Sequence, residues 1–319
     1  MKIVVLDGYT LNPGDNPWDP IARFGELTVY DRTPSELVVA RAADADVLIV
    51  NKTPVPAAAL ERLAGRVRHI AVVATGYDIV DVQAARRLGI SVSNVPEYGT
   101  ASVAQLVFAL LLELCHRVGD HDRSVKAGDW SSCPDFCYWN QPLVELDGLR
   151  LGIVGFGRIG RRVGEIAHAF GMSVAAFDAT PGPGPAYSPF EYVGLDDLFR
   201  KSDVVSLHCP LTPSSLRLVN RARLELMKPG SLLVNTSRGK LIDQADLADA
   251  LRRGRIAGAA LDVVWDEPIS PDNPLLQAPN CLITPHMAWA TLAARRRLMS
   301  TAAGNIEAFL AGRPINIVN

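Results

Sequence analysis

The chain has 319 residues, of which 48% are apolar, so it can bury one large hydrophobic core or two moderate ones, and the usual size of a folding unit favours two domains. Its 32 basic and 34 acidic residues leave a formal net charge of -2, so no basic surface of the kind that neutralises a nucleic-acid backbone is implied. We therefore expect no nucleic-acid partner.

The N-terminal sequence predicts a buried strand. Its apolar run, residues 3–6, meets the carboxylate of Asp7 sooner than the core of a signal peptide would end, and no cleavage-site pattern follows. The longest strongly apolar window, residues 103–115, contains Gln105 and Glu113 and is shorter than the roughly 18 to 20 residues that cross a bilayer. We expect a helix buried within or between subunits there, and no membrane partner.

Short apolar runs alternate with helical patterns along the chain, which is typical of parallel sheets with crossover helices. Because these runs are largely apolar and do not alternate with polar residues, helices should cover both faces of each sheet. The predicted strands are residues 3–6, 47–50, 69–73, 151–154, 173–177, 204–208, 232–235, 257–261 and 281–284. The predicted fold class is therefore α/β, with two Rossmann-like, doubly wound parallel-sheet domains and a cleft between them.

The strands fall into two groups, separated by a helical stretch at residues 101–118 and an aromatic segment at 130–139. After the last strand a helical pattern covers 291–310, and Gly312 and Pro314 then provide a cap and a breaker. The Pro- and Gly-rich residues 180–189 predict a surface loop.

The cysteines form no recognisable framework. They are odd in number and irregularly spaced, at Cys115, Cys133, Cys137, Cys209 and Cys281, which argues against a set of disulfides and against a zinc site. Cys133 and Cys137 could pair, but we expect unlinked thiols in a reducing cytoplasm, and no metal.

A glycine-rich turn follows the strand at 151–154 and leads into an amphipathic helix, the order that a dinucleotide site requires. Gly155 would permit the tight turn, Gly157 would let the backbone approach a pyrophosphate, and Gly160 would let helix and strand pack closely. The pyrophosphate would lie at the helix N-terminus.

The next strand ends in Asp178, about 20 residues further on, where a carboxylate can accept hydrogen bonds from both hydroxyls of the adenosine ribose. The same charge would repel a 2′-phosphate, and neither Ala179 nor Thr180 is basic, so NAD is favoured over NADP. The alternative is an ordinary glycine turn with Asp178 as a helix cap.

Three polar residues, Arg238, Glu267 and His286, lie at or just beyond the ends of later strands, where open parallel sheets bind ligands. Taken singly they could be a surface ion-pair partner, a solvated turn residue and a hydrogen-bonded filler. Together they suit hydride transfer to a carbon next to a carboxylate. Arg238 can hold that carboxylate and polarise the carbonyl. His286 can protonate the new alkoxide, and Glu267 can fix the tautomer of the His286 imidazole.

Over essentially its whole length the chain resembles the D-isomer-specific 2-hydroxyacid dehydrogenases. The resemblance lies in Thr75-Gly76-Tyr77-Asp78, Asn94-Val95-Pro96, Gly155 to Gly160, Asn235-Thr236-Ser237-Arg238-Gly239, Leu261-Asp262-Val263, Asp266-Glu267-Pro268 and Thr284-Pro285-His286. It implies that Arg238, Glu267 and His286 are catalytic, and that backbone N–H groups in the loop Ala74-Thr75-Gly76 hold the substrate carboxylate.

The same resemblance implies which residues contact NAD, with Asp262 at the nicotinamide carboxamide. They are Gly155, Phe156, Gly157, Arg158, Ile159, Gly160, Asp178, Cys209, Thr236, Ser237, Arg238, Asp262, His286, Ala288 and Trp289. It further implies a homodimer and a nucleotide domain inserted into the substrate domain. Residues 1–98 plus 290–319 would form the substrate-binding domain and 99–289 the NAD-binding domain.

Within the family, Asn51-Lys52, residues 135–139 and Glu145-Leu146 resemble the glycerate dehydrogenase or hydroxypyruvate reductase branch. The implied reaction reduces a small 2-keto acid, such as hydroxypyruvate or glyoxylate, to its D-2-hydroxy acid. Two departures stand out: Ala74 replaces a glycine that many members carry, and Met287-Ala288-Trp289 replaces Ile-Gly-Gly or a similar run.

Two alternatives stay open. One is a non-catalytic NAD-sensing scaffold, since transcriptional corepressors share this fold, although the chain offers no protein-docking tail. The other is an enzyme of the same family with formate or phosphite as hydride donor. Neither of those substrates needs His286 to protonate an alkoxide in the same manner.

Overall fold

The computed structural model describes all 319 residues. In chain order the strands are β1 (Lys2–Val5), β2 (Glu26–Val29), β3 (Val47–Val50), β4 (His69–Val72), β5 (Ser91–Ser93), β6 (Arg150–Val154), β7 (Ser173–Phe177), β8 (Phe190–Tyr192), β9 (Val204–Leu207), β10 (Leu232–Asn235), β11 (Gly258–Leu261) and β12 (Cys281–Ile283). The helices are α1 (Asp19–Ala22), α2 (Val38–Ala42), α3 (Ala57–Leu63), α4 (Val82–Arg87), α5 (Thr100–His116), α6 (Val118–Ala127), α7 (Arg158–Ala169), α8 (Leu195–Lys201), α9 (Arg221–Leu226), α10 (Gln244–Arg252) and α11 (Leu292–Leu310).

The chain divides into two compact units. The first unit is Met1–Gly99 with Trp289–Asn319, and the second unit is Thr100–Ala288. Each unit contains one sheet in which every strand pair is parallel. The predicted α/β class with two parallel-sheet domains is therefore confirmed.

The first unit has a five-stranded sheet in the order β2-β1-β3-β4-β5. Strands β3 and β4 of this sheet are buried along their whole length, which explains why every residue in them except His69 is apolar. Helix α11 belongs to this unit, and its side chains Leu298, Ala302 and Ile306 share a core with Ile3 and Ile49. The last helix thus completes a fold that the N-terminal residues begin.

The second unit has a seven-stranded sheet in the order β12-β11-β10-β9-β6-β7-β8. Successive residues of β10 face opposite cores: Leu232 and Val234 lie in the core that contains Leu111 of α5, whereas Leu233 lies in the core that contains Leu247 of α10. Because both faces are covered by helices, no position in the strand needs to be polar.

All nine predicted strands are present, with ends shifted by at most one residue. The sequence prediction misses β2, β5 and β8, and all three are edge strands. Their sequences Glu-Leu-Thr-Val, Ser-Val-Ser and Phe-Glu-Tyr contain polar residues because an edge strand need not be apolar on both faces. The predicted surface loop at 180–189 does lie outside any helix or strand.

The single helical stretch predicted for 101–118 is wrong at its C-terminal end. Helix α5 stops at His116, Arg117 takes a left-handed φ of 50°, and α6 starts at Val118. No single helix passes a length and hydropathy test for a membrane span, although α5 and α6, bent by 51°, pass it as a pair.

All five cysteines are free thiols. Burial raises the pKa of Cys115 to about 11 and the pKa of Cys281 to about 12, so both stay protonated at neutral pH.

Candidate active site

Three neighbouring strands of the second unit end side by side. Asn235 of β10 pairs with Leu261 of β11, which in turn pairs with Ile283 of β12. Arg238 and His286 each follow three residues after these ends, and Glu267 follows six residues after Leu261. The sheet therefore directs all three predicted catalytic residues to one edge, as expected for a ligand site in an open parallel sheet.

Asn235 shapes the turn that carries Arg238. Its buried side chain donates to the carbonyl of Arg238 at 2.9 Å and accepts the N–H of Ser237 at 3.0 Å. The Ser237 hydroxyl also donates to the carbonyl of Cys209 at 2.7 Å, which ties the turn to the end of β9. The Arg238 side chain is exposed, so its guanidinium is accessible to a ligand.

His286 and Glu267 form a direct pair. Nδ1 of His286 lies 2.6 Å from Oε2 of Glu267, and the other carboxylate oxygen accepts the N–H of Val264 at 3.2 Å. Both side chains are partly accessible to solvent, with 26% of His286 and 36% of Glu267 exposed. The structure thus brings together the imidazole and the carboxylate that the sequence predicts as partners.

The backbone of His286 is in an uncommon conformation, with φ of 51°, a region that residues other than glycine rarely adopt. Its N–H donates to the carbonyls of Asp262 at 2.8 Å and Thr284 at 2.9 Å. Hydrogen bonds to neighbouring backbone therefore hold the conformation that presents the imidazole.

Asp262 organises the loop that carries His286. Its buried carboxylate accepts the Thr284 hydroxyl at 2.6 Å, the Met287 N–H at 2.9 Å and the Ala288 N–H at 2.8 Å. Sequence reasoning missed this role, since the family resemblance suggested only a cofactor contact. The sequence does contain a signal for this role, because a carboxylate at the end of a buried strand needs several hydrogen-bond donors from nearby loops.

The glycine turn has the geometry that a dinucleotide site requires. Gly155 has φ of 95°, and a β-carbon there would lie 2.5 Å from the backbone nitrogen of Cys209. At Gly160 a β-carbon would lie 2.2 Å from the carbonyl oxygen of Gly155, so helix α7 can pack this closely only with glycine. Gly157 caps α7, and a β-carbon there would meet nothing within 4 Å. The space before the helix N-terminus is open, as a bound pyrophosphate needs.

Asp178 and Thr236 also fit a bound dinucleotide. The Asp178 carboxylate accepts the Phe156 N–H at 2.7 Å and the Thr180 N–H at 3.0 Å, which uses one lone pair on each oxygen. The Thr236 hydroxyl is buried and has no hydrogen-bond partner in the protein. Acceptor capacity at Asp178 and an unpartnered polar atom at Thr236 both favour a polar ligand.

His208 and Cys209, which follow strand β9 beside the glycine turn, are both uncharged near neutral pH. Burial lowers the pKa of His208 to about 3, and its Nε2 lies 2.8 Å from the Ser206 hydroxyl. Burial also raises the pKa of Cys209 to about 11. His208 is therefore neutral near pH 7 and is not poised to donate a proton.

The other predicted cofactor residues occupy defined places in the fold. Arg158 and Ile159 are the first two residues of α7, and Ala288 is buried at the end of the second unit. Trp289 begins the C-terminal part of the first unit, where its ring contacts Tyr98 edge-on with centroids 6.5 Å apart.

The loop of the first unit that was predicted to bind a carboxylate is firmly anchored. The Thr75 hydroxyl donates to the carbonyl of Val95 at 2.9 Å, and the Asn94 amide donates to the carbonyl of Thr75 at 2.8 Å. The N–H groups of Thr75 and Gly76 donate to no acceptor in the protein. This leaves two backbone donors available at the end of β4.

Comparison with known proteins identifies the family. Residues 108–288 match the family described as D-isomer specific 2-hydroxyacid dehydrogenase, NAD binding domain. The chain is 52% identical over 322 residues to hydroxypyruvate reductase of Blautia hydrogenotrophica, with all of both chains covered. It is 40% identical over 288 residues to glycerate dehydrogenase of Methylorubrum extorquens, which covers 90% of this chain and 89% of that one. The crystal structure of the TT0316 protein from Thermus thermophilus matches with 37% identity, a TM-score of 0.86 and full coverage of both chains.

The chain therefore belongs to the D-isomer specific 2-hydroxyacid dehydrogenase family and is an NAD-dependent oxidoreductase. The family resemblance, the enzyme class and the NAD cofactor that the sequence predicts are confirmed.

Proposed function

We propose that the protein uses NADH to reduce a small 2-keto acid of the hydroxypyruvate or glyoxylate kind to the D-2-hydroxy acid. The observation that carries this proposal is the 2.6 Å contact between His286 Nδ1 and Glu267 Oε2 at the edge of the sheet that also carries Arg238. The substrate class is supported by the names of the two relatives, hydroxypyruvate reductase and glycerate dehydrogenase.

His286 would act as the proton donor. When the Nδ1–H of His286 is hydrogen-bonded to Glu267, the proton that can be transferred to the substrate is the one on Nε2. A protonated imidazole beside a carboxylate can then protonate the oxygen that becomes the alcohol. Glu267 would stabilise the charged imidazole and fix its orientation, which its second hydrogen bond to Val264 supports.

Arg238 would bind the substrate carboxylate and polarise the keto oxygen, because its guanidinium is a planar fork of donors. From the family resemblance we also assign the N–H groups of the loop Ala74-Thr75-Gly76 to substrate binding, and with them the domain formed by residues 1–98 and 290–319. NAD binding is assigned to residues 99–289.

The residues that would hold NAD include Gly157 at the pyrophosphate, Asp178 at the adenosine ribose, and the Thr236 and Asp262 region at the nicotinamide end. When bound, the reduced cofactor supplies the hydride. Asp178 favours NADH over NADPH because its charge opposes a 2′-phosphate.

We further propose a cytoplasmic homodimer. Three large apolar side chains after α6 are exposed, with accessible fractions of 51% at Trp130, 89% at Phe136 and 62% at Trp139, and covering them would be favourable. The five free thiols suit a reducing compartment. Light scattering coupled to size-exclusion chromatography measures the oligomeric state, and a monomer at micromolar concentration would contradict the dimer.

The function is tested by assaying hydroxypyruvate, glyoxylate and pyruvate with NADH and with NADPH, and by resolving the product on a chiral column. The substitution His286→Ala should lower kcat by at least about 100-fold because the proton donor is lost, while NADH still binds through the other residues assigned to it. His168→Gln, which removes an exposed histidine at the end of α7, is the control and should keep the full rate.

Other outcomes would replace the proposal. A His286→Ala variant with a near-normal rate would remove the assigned acid. Oxidation of formate or phosphite with NAD, without reduction of any keto acid, would favour a different hydride donor. Capture of a protein partner only when NADH is present, with no turnover of any substrate, would favour the scaffold.

A further inference from the structure

Trp265 lies at the base of the loop that carries Glu267. It follows Val264, whose N–H donates to the Glu267 carboxylate at 3.2 Å, and its side chain is half-buried. Glu267 is only two residues further along the chain, so the backbone of Trp265 is part of the short link between β11 and the proposed catalytic carboxylate. Any force that fixes Trp265 also restrains Glu267.

The indole of Trp265 is fixed by contacts outside its own loop. Its Nε1–H donates to the carbonyl of Ile242 at 2.6 Å, and the guanidinium of Arg217 lies over the ring, 4.9 Å from its centroid. Such a cation–π contact is favourable by about 0.5 to 1 kcal/mol at an exposed site. A buried carbonyl that lost its indole donor would be left unpaired.

Arg217 is itself attached to the segment that follows Arg238. The N–H of Arg217 donates to the carbonyl of Lys240 at 2.9 Å, and its side-chain Nε lies 3.6 Å from the carboxylate of Asp243. Ile242, which accepts the indole hydrogen bond, belongs to the same segment. Trp265 therefore connects the loop of Glu267 to the segment that begins at Arg238, over a sequence separation of 23 residues.

We propose that Trp265 is a positioning residue, which holds Glu267 against His286 and at a fixed place relative to Arg238 through the Ile242 hydrogen bond and the Arg217 stacking. This inference rests on the proposed function of Glu267 and His286. The indole N–H of Trp265 is directed to Ile242 and not to the catalytic pair, so Trp265 would act through the backbone that it anchors.

The test compares Trp265→Ala, Trp265→Phe and Arg217→Ala with the parent enzyme, using hydroxypyruvate and NADH. Trp265→Ala should lower kcat roughly tenfold, while the Kd for NADH changes less than about twofold. The expected loss is smaller than the full rate contribution of general acid–base catalysis, because His286 and Glu267 are still present. Trp265→Phe keeps an aromatic ring for the Arg217 guanidinium, so its kcat should fall less than that of Trp265→Ala. Arg253→Ala, which breaks an exposed ion pair of 2.7 Å with Glu225, is the matched control for Arg217→Ala and should keep the parental kcat.

A double variant separates positioning from general damage. If Trp265 acts through Glu267, then Trp265→Ala should add less than about a twofold loss in kcat when Glu267→Gln is already present. A full tenfold loss on top of Glu267→Gln, or an unchanged kcat in the single variant, would overturn the proposal.

Hydrogen–deuterium exchange gives a readout that does not depend on turnover. Trp265→Ala should speed exchange in peptides that cover residues 262–268, residues 238–243 and Arg217, and not elsewhere in the second unit. If the parent enzyme reduces no keto acid, the proposed function fails, but this exchange pattern still shows whether the two segments are coupled. Unchanged exchange at 238–243 would overturn the coupling itself.

Discussion

A β-carbon at Gly239 would lie 1.9 Å from the carbonyl oxygen of Val264, 2.0 Å from its carbonyl carbon and 2.6 Å from its α-carbon. Gly239 directly follows Arg238, and Val264 donates its N–H to Glu267 at 3.2 Å. The backbones that carry the proposed substrate-binding cation and the proposed catalytic carboxylate therefore touch, and only glycine allows this approach.

We predict that Gly239→Ala separates these two backbones and disables the enzyme without unfolding it. Because the overlapping atoms of Val264 are backbone, relief of the overlap requires a shift of the segment, and a displacement of about 1 Å at a reacting group can cost 10²-fold in rate. We expect kcat/KM for the keto acid to fall by about that factor, while circular dichroism shows a folded protein.

The matched control is Gly304→Ala in α11, where a β-carbon meets nothing within 4 Å and φ is not positive. This variant should keep the parental kcat/KM and a thermal midpoint that is unchanged or slightly higher, because alanine favours a helix by about 1 kcal/mol relative to glycine. A Gly239→Ala enzyme with parental kcat/KM would show that the two loops need not be held this closely.

Asp178 should determine which cofactor the enzyme prefers. In Asp178→Ala the ribose hydroxyls lose a charged acceptor and a 2′-phosphate meets no opposing charge, so the ratio of kcat/KM for NADH to that for NADPH should fall by about tenfold or more. Both constants should also fall in absolute terms, because Phe156 loses the acceptor of its N–H. The ratio is therefore the quantity to measure.

Asp197→Ala serves as the comparison for this cofactor experiment. Asp197 is on α8, where it pairs with Arg200 and Lys201. Like Asp178→Ala, the substitution Asp197→Ala removes one negative charge from the second unit. Its ratio of NADH to NADPH efficiency should equal that of the parent. An Asp178→Ala enzyme that retains the parental ratio would refute the assignment of Asp178 to the adenosine ribose.

Asp262→Asn should weaken both the fold and the catalytic loop. The carboxylate accepts three protein donors, and an asparagine would turn one of its two acceptors into a donor that faces an N–H or O–H. Each unmade buried hydrogen bond costs about 1 to 3 kcal/mol, so the free energy of unfolding should fall by that amount and kcat should fall with it.

The smaller variant Thr284→Val removes one of these donors and leaves the carboxylate with two N–H partners. It should lose less stability and less activity than Asp262→Asn, as measured by urea unfolding and initial rates. If Asp262→Asn changed only the Kd for NADH and left unfolding unaltered, Asp262 would be a cofactor contact alone.

The sequence predicts most of this fold because buried parallel strands must be apolar on both faces. The nine largely apolar runs all form strands, whereas the three strands that the prediction misses are at sheet edges. It also predicts the positions of Arg238, Glu267 and His286, since parallel strands all end at the same edge and polar residues there are conspicuous.

The hydrogen bonds that hold the loops of Arg238, Glu267 and His286 in place could not be predicted from local sequence pattern. Trp265 and Ile242 are 23 residues apart, and Asp262 and Thr284 are 22 residues apart, so each hydrogen bond depends on the conformation of two loops at once. The left-handed backbone of His286 is likewise set by acceptors at Asp262 and Thr284 rather than by its residue type.

His69 makes the stability of the first unit depend on pH. Its imidazole is buried in β4, 2.8 Å from the Ser91 hydroxyl and 3.0 Å from the Ser93 hydroxyl, and is stacked on Phe309. Burial lowers its pKa from 6.5 to about 4. The unfolded chain therefore binds a proton between these two values that the folded chain does not, and stability falls as the pH drops from about 6.5 towards 4.

We predict that the free energy of unfolding decreases by about 2 kcal/mol between pH 7 and pH 5 because of His69, and that His69→Gln removes this part of the slope. Urea unfolding at pH 7, 6 and 5 measures it, a range chosen above the titration of most carboxyl groups. His168→Gln, at an exposed position on α7, should keep the parental slope. Equal pH slopes in His69→Gln and the parent would mean that the buried imidazole does not control the acid sensitivity of this unit.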